Sequence, residues 1–143
     1  MAKKPRILAE FTTTIPDETV ENDREIVHYG GEYLARALGE MLQGHGHKVE
    51  EPYYAEICGW RFLVRTRKHK LNFQVQFIEK VLLVTDDVTW PRIFGAPDRR
   101  ELFQVLSKLN EDMHNDQRFS DIKWCTEDEI FDMGPGAAVP GPI

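Results

Sequence analysis

The sequence predicts an α+β domain: an antiparallel sheet of about five strands with two helices packed on one face, in the order β-α-β-β-β-β-α. Two patterns carry this reading. Residues 60–86 alternate apolar and polar side chains with a period of two, the mark of strands with one buried and one wet face. On either side of that run, apolar residues recur at helical spacing, and two such stripes need a sheet to bury them.

The elements follow in order. Residues 6–15 read as a first strand, with Ile7, Ala9, Phe11 and Thr13 on one face and Pro16 as its stop. Residues 17–29 are rich in acids and read as a surface loop. Gly30 and Gly31 open a helix that runs to about Gln43, with Leu34, Ala37, Leu38, Met41 and Leu42 as its apolar stripe. Gly44 stands where a left-handed cap would close it. A strand over 48–55 follows the His45-Gly46-His47 connection, and Pro52 marks it as an edge or a bend.

Trp60, Phe62 and Val64 then alternate with Arg61, Leu63 and Arg65. After the basic turn 66–69, Leu71, Phe73, Val75 and Phe77 alternate with Asn72, Gln74 and Gln76. The 81–85 strand is apolar on both faces and is therefore expected at the centre of the sheet. Asp98 and Glu101 have capping-box spacing, ahead of a stripe of Leu102, Phe103, Leu106, Leu109 and Met113. A short strand over 122–125 and a further helical turn capped by Thr126 and Glu129 complete residues 1–133 as one domain. The Gly- and Pro-rich residues 134–143 read as a flexible tail.

Composition narrows the function classes. No apolar stretch approaches the roughly 20 residues of a membrane span. The basic start, Lys3 to Arg6, imitates a signal peptide, but Glu10 and Thr12 to Thr14 interrupt any apolar core, so a cytoplasmic protein is expected. Cys58 and Cys125 stand in no zinc spacing and are expected as half-buried thiols. His45 and His47 point the same way at i, i+2, yet a flexible turn accounts for them without a metal. There is no phosphate-binding glycine loop, and Asp86-Asp87 reads as an acidic strand end. No cofactor is implied.

Charge is unevenly placed in a chain of net −6. Residues 60–80 hold six bases against one acid, and residues 111–132 hold eight acids against two bases. The overall acidity disfavours nucleic acid as a partner of the basic turn. The acidic third offers a field that attracts a basic protein. Its candidate contact residues are Glu111, Asp112, Asp116, Asp121, Glu127, Asp128, Glu129 and Asp132, with Phe119 and Trp124 as aromatic anchors. A second candidate is a pocket lined by Tyr54, Glu56, Cys58 and Trp60, where a carboxylate and a thiol lie among aromatic rings. A third is pairing of a sheet edge or helix face with a second copy.

In size, acidity, α+β pattern and lack of catalytic motifs, the chain resembles in general character the bacterial immunity proteins that neutralise toxins of neighbouring cells. That resemblance implies a non-enzymatic inhibitor whose acidic surface meets a basic toxin or nuclease. It rests on no motif and transfers no site residue.

Overall fold

The computed structural model describes residues 4–56, 59–77, 80–95, 98–132 and 134–142. In chain order the elements are β1 (Pro5–Arg6), β2 (Leu8–Thr13), β3 (Val20–Glu21), β4 (Ile26–His28), α1 (Glu32–Gly44), β5 (Lys48–Val49), β6 (Tyr53–Tyr54), β7 (Trp60–Arg65), β8 (Lys70–Phe77), β9 (Val81–Asp87), α2 (Arg100–His114), β10 (Phe119–Cys125), α3 (Glu127–Phe131) and β11 (Gly141–Pro142). The main sheet is antiparallel, in the order β10-β2-β9-β8-β7-β5, with β6 also paired to β7.

The period-two pattern sorts residues onto faces as the sequence predicts. Phe62, Val64, Leu71, Phe73, Val75, Leu83, Ala9 and Phe11 are buried in one core with Leu34, Leu38 and Leu42 of α1 and Leu102, Leu106 and Leu109 of α2. Registers Phe62↔Phe73 and Val75↔Leu83 put these side chains opposite one another, where cross-strand packing is strongest. β9 lies between β2 and β8, which explains its apolar residues on both faces.

Several local expectations are corrected. Residues 17–29 hold the small β3–β4 hairpin rather than an unpaired loop. The 48–55 strand is split in two, with Glu50 to Pro52 between its halves, because Pro52 has no N–H to give to the ladder. The left-handed glycine after α1 is Gly46, at φ +88°, not Gly44, which lies inside the helix. Asp98 does not cap α2. Arg99 stands at the cap position, and Asp98 instead accepts from the Arg100 N–H (3.1 Å) and from its guanidinium. The Thr126–Glu129 box does form: the Thr126 hydroxyl accepts from Glu129 N (3.1 Å), and Thr126 N donates back to the Glu129 carboxylate (3.0 Å).

The tail is tied down. Trp124 and Ala137 exchange two backbone hydrogen bonds of 2.7 Å, Asn110 Nδ2 donates to Ala138 O, and β11 pairs with β1. β10 would otherwise leave a row of open backbone groups on its outer side, and the tail satisfies part of that row. The opposite edge is interrupted by the break at Pro52. Both edges are therefore poor templates for strand addition, which counts against edge-to-edge self-pairing.

Candidate binding surface

The residues expected to form a pocket are only partly brought together. The backbone of Ala55 and Glu56 is closed onto Gly59: Ala55 N donates to Gly59 O (2.7 Å) and Gly59 N to Glu56 O (2.8 Å). Gly59 sits at φ +77°, and a Cβ there would stand 2.1 Å from Val75 O, so only glycine fits. This turn ends the strand alternation and leaves Glu56 exposed. Cys58 lies outside the described residues. Tyr54 and Trp60 do meet, with ring centroids 6.1 Å apart, and Tyr54 stacks on Tyr29 at 4.6 Å. Trp60 Nε1 donates to Tyr29 O.

A cavity of about 300 Å³ lies beside this aromatic group, lined by Tyr29, Tyr54, Ile26, Phe77, Gln76 and Asp17 among others. Burial, Tyr29 and Glu56 push the Tyr54 phenol up, which keeps it protonated and removes it as a base. The nearby α1 N-terminus is already filled. Glu18 Oε1 accepts from the backbone N–H groups of Gly31 (3.0 Å) and Glu32 (2.6 Å).

The acidic surface differs more from expectation. Trp124 is fully buried and donates its indole N–H to Asn110 Oδ1 at 2.8 Å; Phe119 is buried against Phe11, ring centroids 5.5 Å apart. Neither can anchor a partner. Phe119 and Trp124 are five residues apart, and strict alternation would put them on opposite faces. The bulge between Ser120 and Lys123, with Asp121 at φ +54°, shifts the phase so that Phe119 pairs with Thr13, Trp124 pairs with Ala9, and both reach the core.

Half of the eight acids are engaged within the chain. Asp112 meets His45 (2.6 Å), Asp116 meets Arg118 (2.7 Å), Asp128 meets Lys4, and Glu129 meets Arg6 (2.9 Å). The Arg6 guanidinium and the Thr126 N–H hold Glu129 down at about 2. Glu111, Asp121, Glu127 and Asp132 are exposed and carry no ion pair among the described residues. The His45–Asp112 contact also takes His45 away from any metal shared with His47. No group of three His, Cys, Asp or Glu side chains among the described residues is arranged to hold one.

The chain leaves β9 as Val88-Thr89-Trp90-Pro91-Arg92-Ile93-Phe94-Gly95, apolar residues with neither strand nor helix period between Pro and Gly. Trp90 is 67% exposed, Ile93 86% and Phe94 74%. A loop is ordinarily polar because its side chains face water, so three large exposed apolar groups on one short loop make it a candidate contact surface.

The loop is held rigidly at its base. Asp87, almost wholly buried, accepts from His69 Nδ1 (2.6 Å), from Thr89 N (2.9 Å) and from the Thr89 hydroxyl (2.5 Å). Val88 N donates to Lys70 O, and the Thr89 hydroxyl accepts from Lys70 N. These bonds bind the loop to the basic 66–69 turn, where Arg67 and Lys68 are exposed. The His–Asp contact is therefore a strut, and the Thr89 hydroxyl, 3.4 Å from His69 Nδ1, is already bonded to Asp87 and to Lys70 N. Among the described helices none is long and apolar enough to cross a membrane.

No family model, curated protein or solved structure matches this chain.

Proposed function

We propose that this chain is a non-enzymatic protein-binding module. The observation that carries this reading is the exposed triad of Trp90, Ile93 and Phe94 on a braced loop beside a basic turn. A loop anchored at its base needs less ordering on binding than a free one, and Trp with neighbouring Arg is the composition of interface hot spots. The polar groups near the loop are consumed in bracing it, which favours contact over catalysis.

The test compares three forms of the full chain as bait in an extract of the source cells: the natural sequence, a Trp90→Ser/Ile93→Ser/Phe94→Ser variant, and a variant with Glu111, Asp121, Glu127 and Asp132 changed to amides. A specific partner lost with the first variant supports the reading. A partner retained by it would overturn the role of the loop.

A second reading is supported by those four unpaired acids: an inhibitor whose acidic surface steers a basic toxin or nuclease toward it. This predicts an association rate that falls with salt and with the amide substitutions. The aromatic anchors for such a complex would have to come from elsewhere than Phe119 and Trp124.

A further inference from the structure

The registers put two apolar protrusions of opposite charge at the same end of the sheet. β2 runs antiparallel to both β9 and β10, so those two strands point the same way, with Cys125 and Val84 both level with Leu8. The loop 88–95 leaves β9 at this end, and α3 leaves β10 at the same end. The two strands lie two positions apart in the sheet, roughly 10 Å. The first protrusion carries Trp90, Ile93 and Phe94 beside Arg67 and Lys68. The second carries Phe131, 77% exposed, between Glu127, Asp128 and Asp132.

We infer that this sheet end is a self-complementary interface that pairs two copies of the chain about a two-fold axis. The inference rests on the protein-binding reading above and names its partner. An axis running out through the sheet end lays the basic, aromatic loop of one copy on the acidic α3 of the other, twice over. That is the isologous arrangement most homodimers use. Charge complementarity selects this occupant. An anionic lipid surface drawn to Arg67 and Lys68 is repelled by α3 close by, and a uniformly basic partner drawn to α3 is repelled by the turn. A second copy presents both signs in the matching order. The blocked sheet edges remove strand pairing as a competing mode of self-association.

The experiment is sedimentation of the full chain from low micromolar to about 100 μM, a range that resolves dissociation constants in the micromolar region. It is repeated with two charge-reversed variants: Arg67→Glu/Lys68→Glu, and Glu127→Lys/Asp132→Lys. The expected result is a dimer in the natural chain, weakened at least tenfold in each variant alone. An equimolar mixture of the two variants restores it, because each then meets reversed charges in its partner. All substituted side chains are exposed, and unchanged melting temperatures check the fold. A natural chain that stays monomeric throughout, or variants whose mixture is no tighter than either alone, would overturn the inference. If the chain is monomeric while the Trp90/Ile93/Phe94 variant still loses a partner from extract, the inference fails and the protein-binding reading stands. If that variant loses nothing, the reading fails as well.

Discussion

β10 and the segment that follows β9 end on the same side of the sheet, yet they treat their aromatic residues in opposite ways. Around β10 the aromatics turn inward. Trp124 is sealed in the core with its indole N–H bonded to Asn110 and Phe119 lies against Phe11, while an aromatic side chain reaches solvent only beyond the strand, at Phe131 of α3. After β9 the acid turns inward: Asp87 is buried under His69 and Thr89, and Trp90, Ile93 and Phe94 face solvent. Residue type alone would put both tryptophans in the same class. The difference arises because β10 must bury one face of a strand, whereas the segment after β9 holds only a single 3₁₀ turn, Arg92–Phe94, too short to impose a buried side.

The widest separation between the two regions is expected in stability. Trp124→Ala removes a fully buried side chain and orphans Asn110 Oδ1, at a cost of about 3–5 kcal/mol. Trp90→Ala should stay within about 0.5 kcal/mol of the natural chain, as surface substitutions generally do. Urea unfolding of both variants measures the gap. A similar cost for both would mean that Trp90 packs in solution and is no contact surface.

A second prediction concerns the brace itself. Asp87→Ala removes the acceptor for Thr89 N, the Thr89 hydroxyl and His69 Nδ1 at once, from a site screened from water. A loss of about 2–3 kcal/mol is expected. Amide exchange should show it concentrated at Thr89 and Lys70, whose N–H groups depend on this cluster. Uniform loss across the sheet, with these two amides still protected, would show that the carboxylate does not organise the loop.

Much of the architecture was open to inspection in the sequence because it is written as periodicity. The alternation from Trp60 to Phe77, the double-sided apolar run of β9 and the Leu stripes of both helices each translate into one face of one element. What periodicity does not encode was misread. The tail has turn-like composition, yet it is held by backbone bonds to Trp124, and backbone bonds leave no trace in side-chain identity. Asp98 and Thr126 share the same box spacing. Only Thr126 forms the box, because Asp98 has the adjacent Arg100 guanidinium as a competing partner, which holds it at about 2. The exposure of Glu111, Asp121, Glu127 and Asp132 follows from their charge, whereas the burial of Phe119 and Trp124 together depends on a bulge that side-chain identity does not announce. The exposed apolar residues 88–94 are legible as a non-periodic apolar run around Pro91.

On the β10 side, Glu129→Gln tests how far an acid there serves the fold rather than the surface. Its carboxylate bonds Arg6, Thr126 N and Gly136 N. Its pKa is lowered from an ordinary 4.5 to about 2, so the ionised form is the one that stabilises the folded state. The contribution is complete above about pH 4.5 and fades as pH falls toward 2. The natural chain should therefore exceed the Gln variant by about 1–2 kcal/mol near neutrality. The two melting curves should converge by about pH 2, and a gap independent of pH would assign the loss to packing instead.

The smallest effect expected on stability is the most informative about function. Changing Glu111, Asp121, Glu127 and Asp132 together to amides removes four exposed charges that make no ion pair among the described residues. Each should shift stability by no more than about 0.5 kcal/mol, and relief of self-repulsion in a chain of net −6 makes the sum slightly favourable. The same variant should slow association with a basic partner at low salt and lose that difference at high salt, because steering acts through the unscreened field. Acids that stabilise the fold, such as Glu129, would show the reverse: a cost in melting temperature and little salt dependence in rate. If the quadruple variant melts well below the natural chain, those four acids belong to the architecture, and the case for a contact surface at this end rests on the exposed apolar side chains rather than on the acids.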